Sequence, residues 1–260
     1  MNEVNRDTPF FSVITVCLNS QKTIQSCIES VRAQTVSCFE HIVIDGQSND
    51  CTLSILKQHS HPKLTWTSES DSGIADAMNK GIKKSRGEWL LFLQADDYLA
   101  SNDSLQKVKN SIDKNSPINA YQVLVAENNR RRVFAPTRTP LRCLFKSPYP
   151  HQGAIINQSL FQSIGSYDCT FKIAMDYDWF IRSYHKKVRV KTHDFPIAIM
   201  NSGGVSSLQD WKSLKQRFLE EKRVHFKNAR NMPLTPMYQI YWSVYFPYRK
   251  FLYTFRKKEH

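Results

Sequence analysis

FSVITVCL, running from Phe11 to Leu18, decides the fold. Almost every residue in it is apolar or β-branched, so it reads as a strand buried on both faces, as in a parallel sheet lying between two layers of helix. Asn19-Ser20 ends the run, and Ile24, Cys27, Ile28 and Val31 then recur at i, i+3, i+4 and i+7, which predicts one buried helical face. The rhythm repeats further along the chain. His41 to Ile44 is a second strand ending in Asp45-Gly46, and Asp50 is placed to cap a helix carrying Leu53, Ile55 and Leu56. Lys63 to Thr67 is a third strand, Ile74 to Lys84 a third helix with Ile74, Met78 and Ile82 on one stripe, and Trp89 to Leu93 a fourth strand. This alternation predicts an α/β domain with a mostly parallel sheet flanked by helices.

The 260 residues are 41% hydrophobic and 23% charged, which excludes a disordered or membrane-embedded chain. No stretch reaches the roughly 20 apolar residues of a spanning helix, and MNEVNRDTPF has no export signal, so the expected location is the cytoplasm. Six cysteines without a C-x-x-C pair fit reduced, buried or idle thiols. The net charge of +13 is concentrated at the C-terminus, where residues 211 to 260 hold 12 basic and three acidic side chains. There Tyr238, Tyr241, Trp242, Tyr245, Phe246, Tyr248, Phe251, Tyr253 and Phe255 alternate with Arg249, Lys250, Arg256, Lys257 and Lys258. Such a mix lodges at a headgroup boundary, so residues 238–258 are expected to meet an anionic membrane surface. A helix that packs its aromatics on the main domain is the alternative. Pro247 is predicted to kink or break any helix there. No nucleic acid is expected, because no reading motif accompanies the charge.

In an open α/β sheet, ligands bind beyond the carboxyl ends of the strands. Asn19-Ser20 follow the first strand, Asp45 the second, Glu69 and Asp71 the third, and Asp96-Asp97 the fourth. Crowded carboxylates call for a cation, and a divalent metal chelated by a nucleotide diphosphate supplies one. The loop C-L-N-S-Q-K-T after the first strand has neither G-x-G-x-x-G nor G-x-x-x-x-G-K-[ST], so a dinucleotide or P-loop site lacks its glycines. No G-x-S-x-G or H-E-x-x-H is present either, which disfavours a serine hydrolase or a zinc protease.

These segments resemble the family 2 glycosyltransferases of GT-A fold. The match runs in order through S12-V-I-T-V-C-L-N19, I28-E-S-V-R-A-Q-T35, I42-V-I-D-G-Q-S48, S70-D-S-G-I-A-D-A-M-N-K-G81 and R86-G-E-W-L-L-F-L-Q-A-D-D97, and more weakly through H151-Q and M175-D-Y-D-W-F-I-R182. The resemblance implies an inverting transfer from a nucleotide sugar, expected to be UDP-linked, to an oligosaccharide or lipid-linked acceptor in surface polysaccharide assembly. It implies that Val16, Leu18 and Asn19 line the base and ribose pocket, that Asp45 receives the base, and that Asp71, Asn79 and Gln94 belong to the donor side. Asp96, with Asp97 beside it, matches the metal-binding D-x-D motif for Mn²⁺ or Mg²⁺. Gln94 stands where many members have that motif's first aspartate. Asp176 matches the general base, with Met175 in place of the usual glutamate, while His151, Gln152 and Asp178 fall on the acceptor side.

The expected organisation is a catalytic domain over 1–210, with a donor half at about 10–100 and an acceptor half at about 101–210, followed by a basic, aromatic, helical extension over 211–260. Gly203-Gly204 is expected to form a loop near the site. Joined to the basic extension, the resemblance places the enzyme at the cytoplasmic face of a bacterial inner membrane. A sugar nucleotidyltransferase of the same fold and a nucleic-acid-binding protein are the alternatives.

Overall fold

Phe11–Cys17 forms β1, and all seven of its residues are buried. The computed structural model describes residues 8–127, 130–201, 210–229 and 234–256. Elements alternate as expected: α1 (Ile24–Arg32), β2 (Phe39–Asp45), α2 (Thr52–Gln58), β3 (Leu64–Ser68), α3 (Ile74–Lys84) and β4 (Trp89–Phe92). β2 starts two residues before the apolar run because Glu40 is buried inside it. The Glu40 carboxylate accepts hydrogen bonds from Ser12 Oγ at 2.6 Å and from Arg86 Nε at 3.0 Å, so a charge that looks like a loop signal belongs to the strand. Asp50 precedes the N-cap Cys51, and its carboxylate still accepts the Thr52 amide at 2.9 Å.

Beyond residue 97 the chain adds β5 (Tyr98–Leu99), α4 (Ser104–Ser111), β6 (Ile118–Glu127), β7 (Arg130–Phe134), β8 (Ala154–Asn157), α5 (Leu160–Ile164), α6 (Met175–His185) and β9 (Val190–Asn201). The sheet runs β3-β2-β1-β4-β8-β6-β9-β5, with β7 hydrogen-bonded to β6. β1 to β4 are mutually parallel where they pair, whereas β8 is antiparallel to both β4 and β6. The central strands alternate sides. Leu90 and Phe92 join one core with Ile14, Met78 and Trp179, while Trp89 and Leu91 join the other with Val13, Val31 and Leu105.

Register brings the strand ends together. Cys17 is level with Asp45, and Asp45 with Ser68, so the loops after β1, β2 and β3 open on one edge. α3 lies close over β1: a Cβ on Gly81 would meet Ile14 Cγ2 at 2.4 Å, so only glycine permits this approach.

Two helices, α7 (Trp211–Asn228) and α8 (Thr235–Arg256), close the chain. Leu214, Phe218, Tyr238 and Trp242 form their shared core. The expected break at Pro247 is not found, and α8 runs through it as one helix of about 33 Å. Pro247 lies on the exposed side of α8, where water can satisfy the carbonyl that loses its amide partner. All six cysteines are free; Cys17, Cys27 and Cys143 are buried. Gly203-Gly204, Lys257 and Lys258 lie outside the described residues.

Candidate active site

A cavity of about 960 Å³ opens at the converging strand ends, near the upper limit for small-molecule sites of roughly 300–1,000 Å³. Val16, Leu18, Asn19, Asp71, Gln94, Asp96 and Asp97 line it from the first hundred residues, and His151, Gln152 and Asp176 line it from the later part. Residues separated by up to 160 positions in sequence are thus brought to one hollow.

The turn after β1 is shaped for this role. Asn19 has φ 51°, a left-handed conformation that asparagine tolerates. Its amide donates to Ser48 Oγ at 2.8 Å and its side-chain oxygen accepts the Asn49 amide at 3.0 Å, tying this turn to the one after β2. On the neighbouring loop, Asp71 Oδ1 accepts the Gly73 amide at 2.8 Å. A Cβ on Gly46 would lie 2.6 Å from Asp71 Oδ2, so the glycine after Asp45 makes room for this carboxylate.

Three of the expected site residues lie off the cavity wall. Asp45 is fully buried beneath it, accepting from the Ser48 amide at 2.9 Å and from Ser68 Oγ at 2.7 Å, with Ser48 Oγ a further donor. It organises the loops that carry Asn19 and Ser48. Asn79 pins the backbone of Tyr167, donating to its carbonyl at 2.9 Å and accepting its amide at 3.0 Å. Asp178 is fully buried, bound by Arg182 Nε at 2.9 Å, Lys227 Nζ at 2.8 Å and Asn228 Nδ2 at 3.1 Å.

Asp96 and Asp97 differ in environment. Asp97 is almost wholly buried and accepts Gln152 Nε2 at 2.7 Å and the Asn201 amide at 3.1 Å; burial, and then the neighbouring Asp96, push its carboxyl up to about 7. Asp96 presents its carboxylate to the cavity with no side-chain partner among the described residues, and burial raises its pKa. A cation beside Asp96 would remove that penalty. Among the described residues, no three or more His, Cys, Asp or Glu gather as a metal cage. One or two carboxylates still fit a hard cation such as Mg²⁺, which takes its other ligands from phosphate and water.

On the later half of the wall, Asp176 stands in the first turn of α6, where burial pushes its carboxyl up to about 6. His151 is stacked on Phe92 with ring centroids 4.9 Å apart, and its Nε2 is 3.0 Å from Tyr167 Oη. Burial lowers its pKa to about 4, so it is neutral at physiological pH. Lys22, Lys172 and Arg217 place positive charge on the wall, and Glu221 adds a carboxylate whose pKa burial raises. Short-range sequence patterns did not reveal Lys172, Arg217 or Glu221, because none belongs to a motif that marks a strand end.

Arranged in this way, the cavity offers a walled turn and cationic side chains for a phosphate-bearing ligand. It also offers Asp176, a carboxylate able to take a proton near neutral pH. Known proteins share both the sequence and the architecture. A family model described as "Glycosyl transferase family 2" matches residues 12–185. A PGL/p-HBAD biosynthesis glycosyltransferase of Mycobacterium bovis (strain BCG / Pasteur 1173P2) is 34% identical over 181 residues, covering 68% of this chain and 70% of that protein. Among solved structures, S. aureus TarS 1-349 in complex with UDP-GlcNAc superposes with a TM-score of 0.67 at 21% identity, covering 86% of this chain and 67% of that one. The mannosyltransferase PcManGT from Pyrobaculum calidifontis, in complex with GDP-Man and Mn²⁺, gives a TM-score of 0.64 at 18% identity, covering 89% and 68%.

Proposed function

Because this chain belongs to glycosyl transferase family 2 and has the GT-A fold, we propose that it transfers a sugar, with inversion, from a nucleoside diphosphate donor to a hydroxyl of an oligosaccharide or lipid-linked acceptor. The observation that carries this reading is the shared cavity, on which Asp71 and Asp96 at the strand ends meet Asp176 at the start of α6. UDP is the expected nucleotide, and the UDP-GlcNAc and GDP-Man complexes of the two structural neighbours support the donor class.

Val16, Leu18 and Asn19 would hold the base and ribose, with Asp71 and Gln94 on the donor side. Asp45 would act from beneath by fixing the Ser48 loop, and Asn79 by fixing Tyr167. Mn²⁺ or Mg²⁺, held by Asp96 beside Asp97, would supply positive charge for the departing diphosphate. The Asp176 carboxylate accepts the acceptor's hydroxyl proton while that oxygen bonds to the anomeric carbon and the bond from that carbon to the diphosphate oxygen breaks. The electron pair leaves with the nucleoside diphosphate. His151, fixed by Tyr167, would orient the acceptor, and Gln152 holds Asp97 in place.

Relatives named for PGL/p-HBAD biosynthesis, and a chondroitin synthase of Escherichia coli that is 34% identical over 93 residues (35% of this chain, 14% of that protein), support a role in building surface glycans such as capsule or lipopolysaccharide. Among the described residues no helix is long and apolar enough to cross a membrane. We place the protein peripherally on the cytoplasmic face of the inner membrane, through residues 238–258. Two features of α8 support this. Its outward side carries Ile240, Val244, Tyr248, Phe251 and Phe255, each 54–69% exposed and spaced as one helical stripe. No acidic residue occurs between Lys222 and Arg256. Tyr238, Trp242 and Tyr245 face inward, so only part of the aromatic set is free for lipid.

A thermal-shift screen of nucleoside diphosphates and nucleotide sugars, with and without Mn²⁺, tests the reading. Stabilisation by one base only when Mn²⁺ is present supports it; no stabilisation by any of them overturns it.

A further inference from the structure

α6 begins without a cap of its own. Its N-cap is Ala174, which has no side-chain acceptor, yet the first amides of a helix need partners. One of them, the amide of Ala174 itself, finds a partner 46 positions away, while the Tyr177 amide is accepted by Asp176 Oδ1 at 2.7 Å. The carboxylate of Glu220, on α7, accepts the Ala174 amide at 3.0 Å, the Ile173 amide at 2.8 Å and the Lys172 amide at 3.1 Å. Glu220 is buried, and charge-assisted bonds of this kind are about twice as strong as neutral ones. The three residues it grips line the cavity and lead straight into the first turn of α6, where Asp176 stands. One turn of α7 therefore fixes, from outside, the segment that enters α6.

The neighbours of Glu220 on the same helix reach the cavity itself. Arg217 and Glu221, at i−3 and i+1 from Glu220, both line it, with Arg217 Nε 3.8 Å from Glu221 Oε1. Just after Asp176, Tyr177 Oη lies 2.7 Å from Nε2 of His225, another α7 residue. α7 thus grips the segment bearing Asp176 both before and after it.

We propose that Glu220 is a positioning residue for Asp176: by clamping the amides of residues 172–174 it fixes where the base carboxylate meets the acceptor hydroxyl. The inference rests on Asp176 being the base. A carboxylate held to within a fraction of an ångström matters for rate more than for donor binding, since misplacement of a reacting group by about 1 Å costs on the order of 10²-fold.

The test compares Glu220→Ala and Glu220→Gln with the wild-type protein by steady-state transfer kinetics and by amide hydrogen exchange over residues 170–180. Glu220→Ala should lower kcat by roughly 10- to 100-fold with donor KM changed less than about twofold, and should speed exchange at the Ile173 and Ala174 amides. Glu220→Gln keeps one accepting oxygen and should fall between the two, which keeps the test readable if the alanine variant fails to fold. Unchanged exchange at these amides, or faster exchange with unchanged kcat, overturns the proposal. A wild-type protein that transfers no sugar removes the premise instead, and the exchange data, which need no substrate, tell that outcome apart.

Discussion

Gln152 Nε2 donates to Asp97 Oδ2 at 2.7 Å, joining the turn between β4 and β5 to the turn that leads into β8. Through this bond, residues on the two halves of the sheet share a fixed geometry at the cavity. Gln152→Ala should leave part of a buried carboxylate unsatisfied, at about 1–3 kcal/mol. Denaturant unfolding should show that loss, and donor affinity should fall as the Asp96-Asp97 turn loosens. Unchanged stability and affinity would mean that the bond fixes nothing.

Asp176→Asn should lower turnover by roughly 10²–10⁴-fold and leave donor binding nearly intact. Steady-state rates and calorimetric donor titration separate the two effects. If donor affinity collapses instead, Asp176 belongs to the donor site and is not the base.

The elevated carboxyl of Asp176 also sets a pH dependence. A base must be ionised, so kcat should rise with pH through about 6 and level off above it. The stability effect has the opposite slope. Between the ordinary carboxyl value near 3.8 and about 6, the folded protein keeps a proton that the unfolded chain has lost, so this group's contribution to stability falls as pH rises across that window. Asp97, also raised, contributes to both proteins, so the slope due to Asp176 should appear in the difference between the unfolding free energies of wild type and Asp176→Asn measured from pH 4 to 7.

Asp178, two residues further along, should behave differently. Buried among Arg182, Lys227 and Asn228, it is a structural anion, and removing one member of such a network costs about 3 kcal/mol or more. Asp178→Asn should therefore lower the denaturation midpoint strongly while changing kcat of the folded fraction only a few-fold. A large kcat loss at unchanged stability would put Asp178 in the chemistry.

The outward stripe of α8 predicts lipid binding. Each exposed phenylalanine that enters the interface removes apolar surface from water, at roughly 25 cal/mol per Å². Phe251→Ser with Phe255→Ser should cut sedimentation with phosphatidylglycerol-containing vesicles at least about tenfold, leaving nucleotide binding as it was. Equal sedimentation of wild type and variant would assign the stripe another role.

The sheet edge is legible in the sequence because β1, β2 and β4 are buried on both faces and so stand out as apolar runs. β6 and β9 carry Asn119, Gln122, His193 and Asp194 within their length, and no periodic pattern marks them as strands. At the site, sequence pattern finds the end of a strand but not which way its last side chain turns. Asp45 is at the strand end as read, yet Ser48 and Ser68 draw it under the cavity floor. Partners far apart in the chain were out of reach altogether. Gln152 meets Asp97 across 55 positions and Glu220 meets the amides before α6 across 46 to 48, and no local pattern announces either pair. In α8, alternating aromatic and basic residues hid a division that only the helix reveals, with Tyr238 and Trp242 packed and Phe251 and Phe255 exposed.

Calorimetric titration of UDP into wild type, Asp96→Asn and Asp176→Asn, each with Mn²⁺ and with chelator, separates the donor-holding role of Asp96 from the proton-accepting role of Asp176. Binding to wild type and Asp176→Asn should need the cation, with little binding to Asp96→Asn under either condition. Binding that is equal with chelator, or equal in all three proteins, would contradict these roles.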